Sequence, residues 1–399
     1  MRNLTSLSRR SFAKLIGAGA ATAVVRPSLA WAGPAGPGSI SRVTSTLVRL
    51  NSNENPYGPS PMALKAMTDA FPMVWRYPDE HADNLVDTLA KLHGVSPEQI
   101  VLGDGSGEIL KVCASAFTGP MTGDAKPIEL SKPTRGPALM FIPGRGKLVV
   151  ADPTYEAIVN HARVNHAEVV KVPLNHKYAH DLPKMLAAAD EGVIYICNPN
   201  NPTASITPKN ELRDFINNTS PKTMILVDEA YFHYADSGDY ESVIPLVKDH
   251  PNLVVARTFS KIYGMAGLRC GYCITQPETI SKMRAHLTWD SVNILALAAA
   301  NASLNDPDQV LNGRRLNTRT KQFVLAEINK LGFAHIPSQA NFVMIDMKQP
   351  VRPLIESMNK FGVKVGRAFP TYPNHMRVTI GKQTEMEAFM SAFRKTIAS

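Results

Sequence analysis

The sequence predicts an α/β fold of buried strands and amphipathic helices. Three features point to it. Short apolar runs such as Val193-Ile194-Tyr195-Ile196-Cys197 and Leu253-Val254-Val255-Ala256 read as buried strands. Helical spacing appears between such runs, as at 83–93, where Leu85, Leu89 and Leu92 share a face. With 399 residues, the chain is long enough for two domains or one large α/β unit with a lobe.

Composition is that of an ordinary globular enzyme. The formal net charge of +9 is unevenly placed. Residues 1–32 hold five of the 43 basic residues and none of the 34 acidic ones, so the remainder carries 38 against 34, a balance of +4. No basic cluster interleaved with aromatics appears, so no nucleic-acid partner is expected. The excess at the front has another meaning. Ser8-Arg9-Arg10-Ser11-Phe12-Ala13-Lys14 resembles the twin-arginine export motif. An Ala/Gly-rich apolar stretch at 15–25 follows, too short to span a bilayer of ~30 Å, and then the cleavage-type Ala30-Trp31-Ala32. The expectation is a signal peptide at 1–32, the twin-arginine translocase as partner, and a periplasmic or secreted product.

The mature fold opens with Leu50-Asn51-Ser52-Asn53-Glu54-Asn55-Pro56-Tyr57-Gly58-Pro59, a turn-rich segment that suits a lip over a small polar ligand. A helix follows at 61–70. In Trp75-Arg76-Tyr77-Pro78 the proline keeps Tyr77 extended. A strand at 100–102 runs into Gly103-Asp104-Gly105-Ser106-Gly107-Glu108. Such a strand, glycine loop and helix turn free N–H groups toward a phosphate, or simply make a tight turn. The spacing matches neither the dinucleotide nor the P-loop fingerprint. Residues 119–146, rich in Gly, Pro and Lys without periodicity, read as a surface insertion.

The strand at 148–151 leads to Asp152-Pro153-Thr154-Tyr155, at the end where ligand-contacting loops lie in parallel sheets. Tyr155 is either a flat partner for an aromatic ring or an exposed loop residue. After a strand at 168–172, the 193–197 strand enters Asn198-Pro199-Asn200-Asn201-Pro202-Thr203-Ala204, whose two Asn-Pro steps set a rigid turn. The 224–227 strand ends in Asp228-Glu229-Ala230-Tyr231. An acid at the end of a buried strand needs a charged partner, a metal ion or a pyridinium nitrogen.

The stretch after 253–256 decides between them. Arg257-Thr258-Phe259-Ser260-Lys261 places a lysine between apolar flanks, with Arg269 eight residues on. A desolvated lysine loses its proton easily and attacks aldehydes. Thr258, Ser260 and Arg269 can hold a phosphate beside it. Together they point to pyridoxal phosphate held as a Schiff base on Lys261. Asp228 then faces the pyridine nitrogen, Tyr231 the phenolic oxygen, and no metal is expected. Cys270 and Cys273 lie on one strand ~10 Å apart, beyond disulfide reach. Beyond 290 come helices, including 317–331, a turn into a strand at 338–345, and a tail carrying Val363-Lys364-Val365-Gly366-Arg367 and the alternating Met376-Arg377-Val378-Thr379-Ile380-Gly381. Arg377, set between apolar residues, is either solvated or grips a carboxylate with its planar fork.

The ordered set Asn53-Glu54-Asn55-Pro56, Gly103-Asp104-Gly105-Ser106, Asn198-Pro199-Asn200-Asn201-Pro202-Thr203, Asp228-Glu229-Ala230-Tyr231, Arg257-Thr258-Phe259-Ser260-Lys261 and Arg377-Val378-Thr379-Ile380-Gly381 resembles class I/II aminotransferases of PLP fold type I. The histidinol-phosphate aminotransferase branch is the most similar. The resemblance implies a large domain at 76–292 with a mostly parallel seven-stranded sheet. It implies a small α/β domain from both chain ends, 33–75 and 293–399, and a homodimer. It makes Lys261 the Schiff-base lysine and proton carrier, with Asp228 and Tyr231 as its catalytic companions. Asn201 joins Tyr231 on the ring oxygen, and Tyr155 stacks on the ring. Gly105, Ser106, Gly107, Thr258, Ser260 and Arg269 cradle the phosphate, with Tyr77 arriving from the other subunit. Asn53, Asn55, Arg367 and Arg377 face the substrate. The chain departs from the branch at Gly107, where an acid is common, and at Ala204, where glycine is usual. It also departs at Val365-Gly366-Arg367 and in the 119–146 insertion.

The expected activity is transfer of an amino group from an amino acid or histidinol phosphate to a 2-oxo acid such as 2-oxoglutarate. Export points toward an amino acid donor, since histidinol phosphate is made and used in the cytoplasm. A PLP lyase, racemase or synthase shares the same cradle and is the alternative. A nicotinamide dehydrogenase would need the dinucleotide fingerprint that is missing here.

Overall fold

The apolar runs have both faces to bury and backbone groups to satisfy, so they pair edge to edge. The computed structural model describes residues 47–120, 128–129, 140–141 and 144–398, so the export signal read at 1–32 lies outside the described residues. The strands in chain order are β1 (Val48–Leu50), β2 (Ile100–Gly103), β3 (Ile128–Glu129), β4 (Met140–Phe141), β5 (Lys147–Asp152) and β6 (Val169–Pro173). Then come β7 (Gly192–Cys197), β8 (Thr223–Asp228), β9 (Leu253–Thr258), β10 (Gly271–Ile274), β11 (Phe342–Asp346), β12 (Val363–Val365) and β13 (His375–Thr379). Seven of them form one sheet in the order β2-β10-β9-β8-β7-β5-β6. β10 runs against both neighbours, and the other pairings are parallel. This is the mostly parallel seven-stranded sheet that the resemblance implies.

Alternate residues of the central strands feed two cores, one on each face. Ile194, Ile225, Val227 and Val255 pack with the helices Asp79–His93, Lys209–Asn218 and Ile294–Leu304. Val193, Tyr195, Leu226 and Val254 pack with Gly105–Phe117, Ala157–Val164 and Pro277–Met283. A third core gathers Leu50, Val343, Val365, Val378, Phe389 and Phe393. It covers two small sheets, β1 parallel to β12 and β11 antiparallel to β13. Residues from near both chain ends therefore meet.

Helix starts differ most from the sequence reading, because a cap or first-turn acids rather than apolar spacing mark them. Pro61–Ala70 begins where expected, with the Ser60 hydroxyl accepting from the Ala63 N–H at 3.3 Å. Asp79–His93 begins four residues before the expected 83, with Asp79 and Glu80 in its first turn. Pro307–Lys330 begins ten residues before the expected 317, capped by Asp306. The insertion is not wholly irregular: Gly119 bridges Gly146, and β3 pairs with β4 antiparallel.

The sheet direction positions the chemistry. Loops after β5, β7, β8 and β9 emerge at one edge. Arg269 precedes the reversed β10, so it reaches the same edge. A buried ion pair ties the loop after β8 to β9. Glu229 accepts from Arg257 Nε (3.0 Å) and Nη2 (2.7 Å), from Ser242 Oγ (2.8 Å) and from the Val243 N–H (2.8 Å). The Glu229 and Arg257 side chains are 1% and 6% exposed, and the guanidinium lies 3.8 Å from the centre of the Phe232 ring. Removing one partner strands the other charge in the core. Glu229→Ala should therefore lower unfolding free energy by about 3–5 kcal/mol, read as a drop in denaturation midpoint.

Candidate active site

A cavity of about 560 Å³ opens at this edge. It is lined by Asn53, Ser106, Gly107, Tyr155, Asn201, Asp228, Tyr231, Thr258, Ser260, Lys261, Arg269, Arg367 and Arg377, all assigned from sequence. Three assigned residues lie off its wall. Gly105 sits behind Ser106 with φ +70, where a Cβ would come within 2.2 Å of Arg269 Nη2. The Asn55 amide donates to the Ile262 carbonyl at 2.7 Å and so pins the lysine loop rather than facing the cavity. Tyr77 is 82% exposed and does not reach its own chain's cavity.

Asp228 ends β8 and is buried. Its Oδ2 accepts from the Tyr195 hydroxyl at 2.9 Å and its Oδ1 from the Ala230 N–H at 3.1 Å. Burial raises its pKa to about 6, and these two donors limit the rise. Lys261 lies partly buried across the cavity, its Nζ donating to the Asn53 carbonyl at 3.2 Å and 5.5 Å from the Tyr231 ring. Its pKa falls to about 8, first by burial and then through the Arg377 guanidinium. The Tyr231 hydroxyl accepts from Asn53 Nδ2 (3.1 Å) and Asn201 Nδ2 (3.4 Å), and burial pushes its pKa up.

At the other end, Arg269 Nη1 donates to Ser260 Oγ at 3.3 Å and Nη2 to the Asp104 carbonyl at 3.3 Å. Thr258 Oγ1 holds both the hydroxyl (2.9 Å) and the N–H (3.1 Å) of Ser260. The helix Gly105–Phe117 starts here, adding the positive end of its dipole. Deeper in the wall, Arg377 on β13 donates to Asn201 Oδ1 (2.7 Å) and to the Asn51 carbonyl (2.9 Å). Gly366 packs against it: its N–H donates to the Arg377 carbonyl at 2.8 Å, and a Cβ would lie 3.1 Å from Arg377 Nε. Ala204 adopts φ 59, a left-handed conformation that explains why glycine is usual there.

Several residues of the site escaped the sequence reading. Tyr195, buried behind Asp228, had a signal, a lone hydroxyl in an apolar strand that must find a partner. Glu156, Asn160 and Phe369 line the cavity, and nothing in their local sequence marks them. Among the described residues, no group of three or more His, Cys, Asp or Glu could hold a metal ion.

A buried acid, a desolvated amine and an anion cradle built from a serine pair, an arginine and a helix start now stand in one cavity. The family of class I and II aminotransferases matches residues 45–393. The chain belongs to that family. It is 34% identical over 357 residues to the histidinol-phosphate aminotransferase of Moorella thermoacetica, covering 88% of this chain and 86% of that one. Among solved structures it is similar to a putative histidinol-phosphate aminotransferase from Erwinia carotovora atroseptica, with a TM-score of 0.80, 29% identity and coverage of 89% and 97%. It also matches the histidinol-phosphate aminotransferase of Sinorhizobium meliloti in complex with pyridoxal 5'-phosphate, with a TM-score of 0.75, 25% identity and coverage of 88% and 91%. The chain is a PLP-dependent aminotransferase. The residues present fit that cofactor: Lys261 would supply the amine, Asp228 the anion for the ring nitrogen, and Ser106, Ser260 and Arg269 the phosphate cradle.

The amine's titration can be checked without substrate. Below about 8 it is protonated and inert, and above it is a nucleophile. Between there and the ordinary lysine value the unfolded chain holds one more proton, so this group makes stability rise with pH. Labelling of Lys261 in the cofactor-free protein by an amine-reactive reagent, read by peptide mass spectrometry, should have its midpoint near 8. Arg377→Gln should move that midpoint upward.

Proposed function

We propose that this aminotransferase moves the amino group of an amino acid or of histidinol phosphate to a 2-oxo acid such as 2-oxoglutarate. The observation that carries the reading is the amine of Lys261, depressed to about 8, in the same cavity as the Arg377 fork. When bound, pyridoxal phosphate supplies an aldehyde that takes amines and a ring that withdraws electrons. Arg377 orients the substrate by its carboxylate or phosphate. Lys261 Nζ would carry the proton away from the donor's Cα. Asp228, held by Tyr195, would keep the ring nitrogen protonated. Tyr231 and Asn201 would hold the ring oxygen, and Tyr155 would pack against the ring. The lyase reading differs in needing no acceptor. We expect the visible band of the loaded enzyme to fade with one donor alone and return when a 2-oxo acid is added. Lys261→Ala should lose both the covalent attachment and the response. A band that no donor changes would overturn the transferase reading.

We also read the chain as a large domain at 76–292 and a small domain from 33–75 and 293–399, working as an exported homodimer. Phe71, Val74, Trp75, Tyr77 and Trp289 are each more than half exposed, a patch that a second copy would cover while lending Tyr77 to the partner's phosphate cradle. The twin arginines and the Ala-Trp-Ala site support export of the folded, loaded enzyme. The processed protein should be recovered from the periplasm at twice the chain mass. Arg9→Lys with Arg10→Lys should leave it unprocessed in the cytoplasm.

A further inference from the structure

Arg367 and Glu156 close an ion pair on the wall of the cavity. Arg367 Nη2 lies 2.6 Å from Glu156 Oε2, and the side chains are 51% and 54% exposed. Glu156 immediately precedes the helix Ala157–Val164 and Arg367 follows β12, so the two meet only in the fold. The Phe369 ring lies near two of the cavity's three arginines, 4.3 Å from the guanidinium of Arg367 and 5.2 Å from that of Arg377. Arg377 is nearly enclosed, and its partners are neutral oxygens. Arg367 is already answered by a carboxylate. Apart from the cradle at Arg269, the cavity therefore offers one anion site, at Arg377, and beyond it a neutral pair beside an apolar ring.

We propose that Glu156 is a specificity-determining residue: it keeps Arg367 occupied, so that the site favours substrates with a single anionic group over those with two. The inference rests on the reading of Arg377 as the anchor of the substrate carboxylate. A second carboxylate that reaches Arg367 must displace Glu156 and then lie beside that like charge. An uncharged side chain meets neither obstacle and packs on Phe369. The pair is half exposed, so the discrimination is a few-fold rather than absolute.

Equilibrium binding tests this without turnover. Titration calorimetry of the loaded enzyme with glutarate and with butyrate compares a dicarboxylate with a monocarboxylate of similar length. In Glu156→Gln the Kd ratio should shift toward glutarate by about fivefold. In the Arg367→Gln background the same substitution should produce no shift. An unchanged ratio in Glu156→Gln overturns the inference, as does an equal shift with and without Arg367, since Glu156 would then act as a bare charge. A shifted binding ratio in an enzyme that transfers no amino group to any acceptor would overturn the transferase reading and leave this one standing. Transfer with an unmoved ratio would do the reverse.

Discussion

Burying a base and an acid at one edge of a parallel sheet is the constraint on which the rest depends. Water would hold the lysine amine protonated and the aspartic acid ionised at neutral pH. Removing it lowers Lys261 to about 8 and raises Asp228 to about 6, so both groups approach the range where protons move. Neither shift is left unbounded. Tyr195 and the Ala230 N–H stabilise the carboxylate, and the Asn53 carbonyl gives the amine a place to donate.

That desolvation requires a wall that the sheet alone cannot provide. The segment after β1 supplies it. The Asn53 N–H donates to Thr379 Oγ1 at 2.9 Å, its carbonyl accepts from Asn341 Nδ2 at 3.1 Å, and its side chain reaches Tyr231. One residue thus joins Lys261, Tyr231 and the C-terminal strands. Asn53 holds φ 54 to do so, a conformation that asparagine tolerates better than most side chains. Asn201 plays the matching part on the other side, between Tyr231 and Arg377. Hydrogen bonds tie the floor of the cavity together, whereas its rim carries half-exposed charges.

Much of this was legible in the chain. A lysine between apolar flanks, an acid ending a buried strand, and hydroxyls beside an arginine are local statements, because burial follows from the runs in which they sit. Lys261, Asp228, Tyr231, Ser260 and Arg269 were assigned on that basis and share one cavity. Partners contributed from afar were not legible in this way. Glu156 and Arg367 are an acid and a base separated by more than two hundred residues; the family resemblance placed Arg367 toward the substrate, but nothing in the sequence paired it with Glu156. Asn55 sits in an asparagine-rich loop that reads as a ligand lip, yet its amide closes on the Ile262 carbonyl. Helix starts at Asp79 and Pro307 were missed for a related reason, since caps and charges set them where no apolar period exists.

By itself, then, the sequence determined the strands, the residue types at their ends and the cofactor class, because hydrophobic periodicity and proton chemistry are properties of short segments. Only the tertiary structure decided which charges face one another, which asparagine seals the lysine, and how much anionic character the rim can accept. Those depend on distances between residues that the chain order keeps apart, and electrostatic energy follows distance and burial rather than sequence.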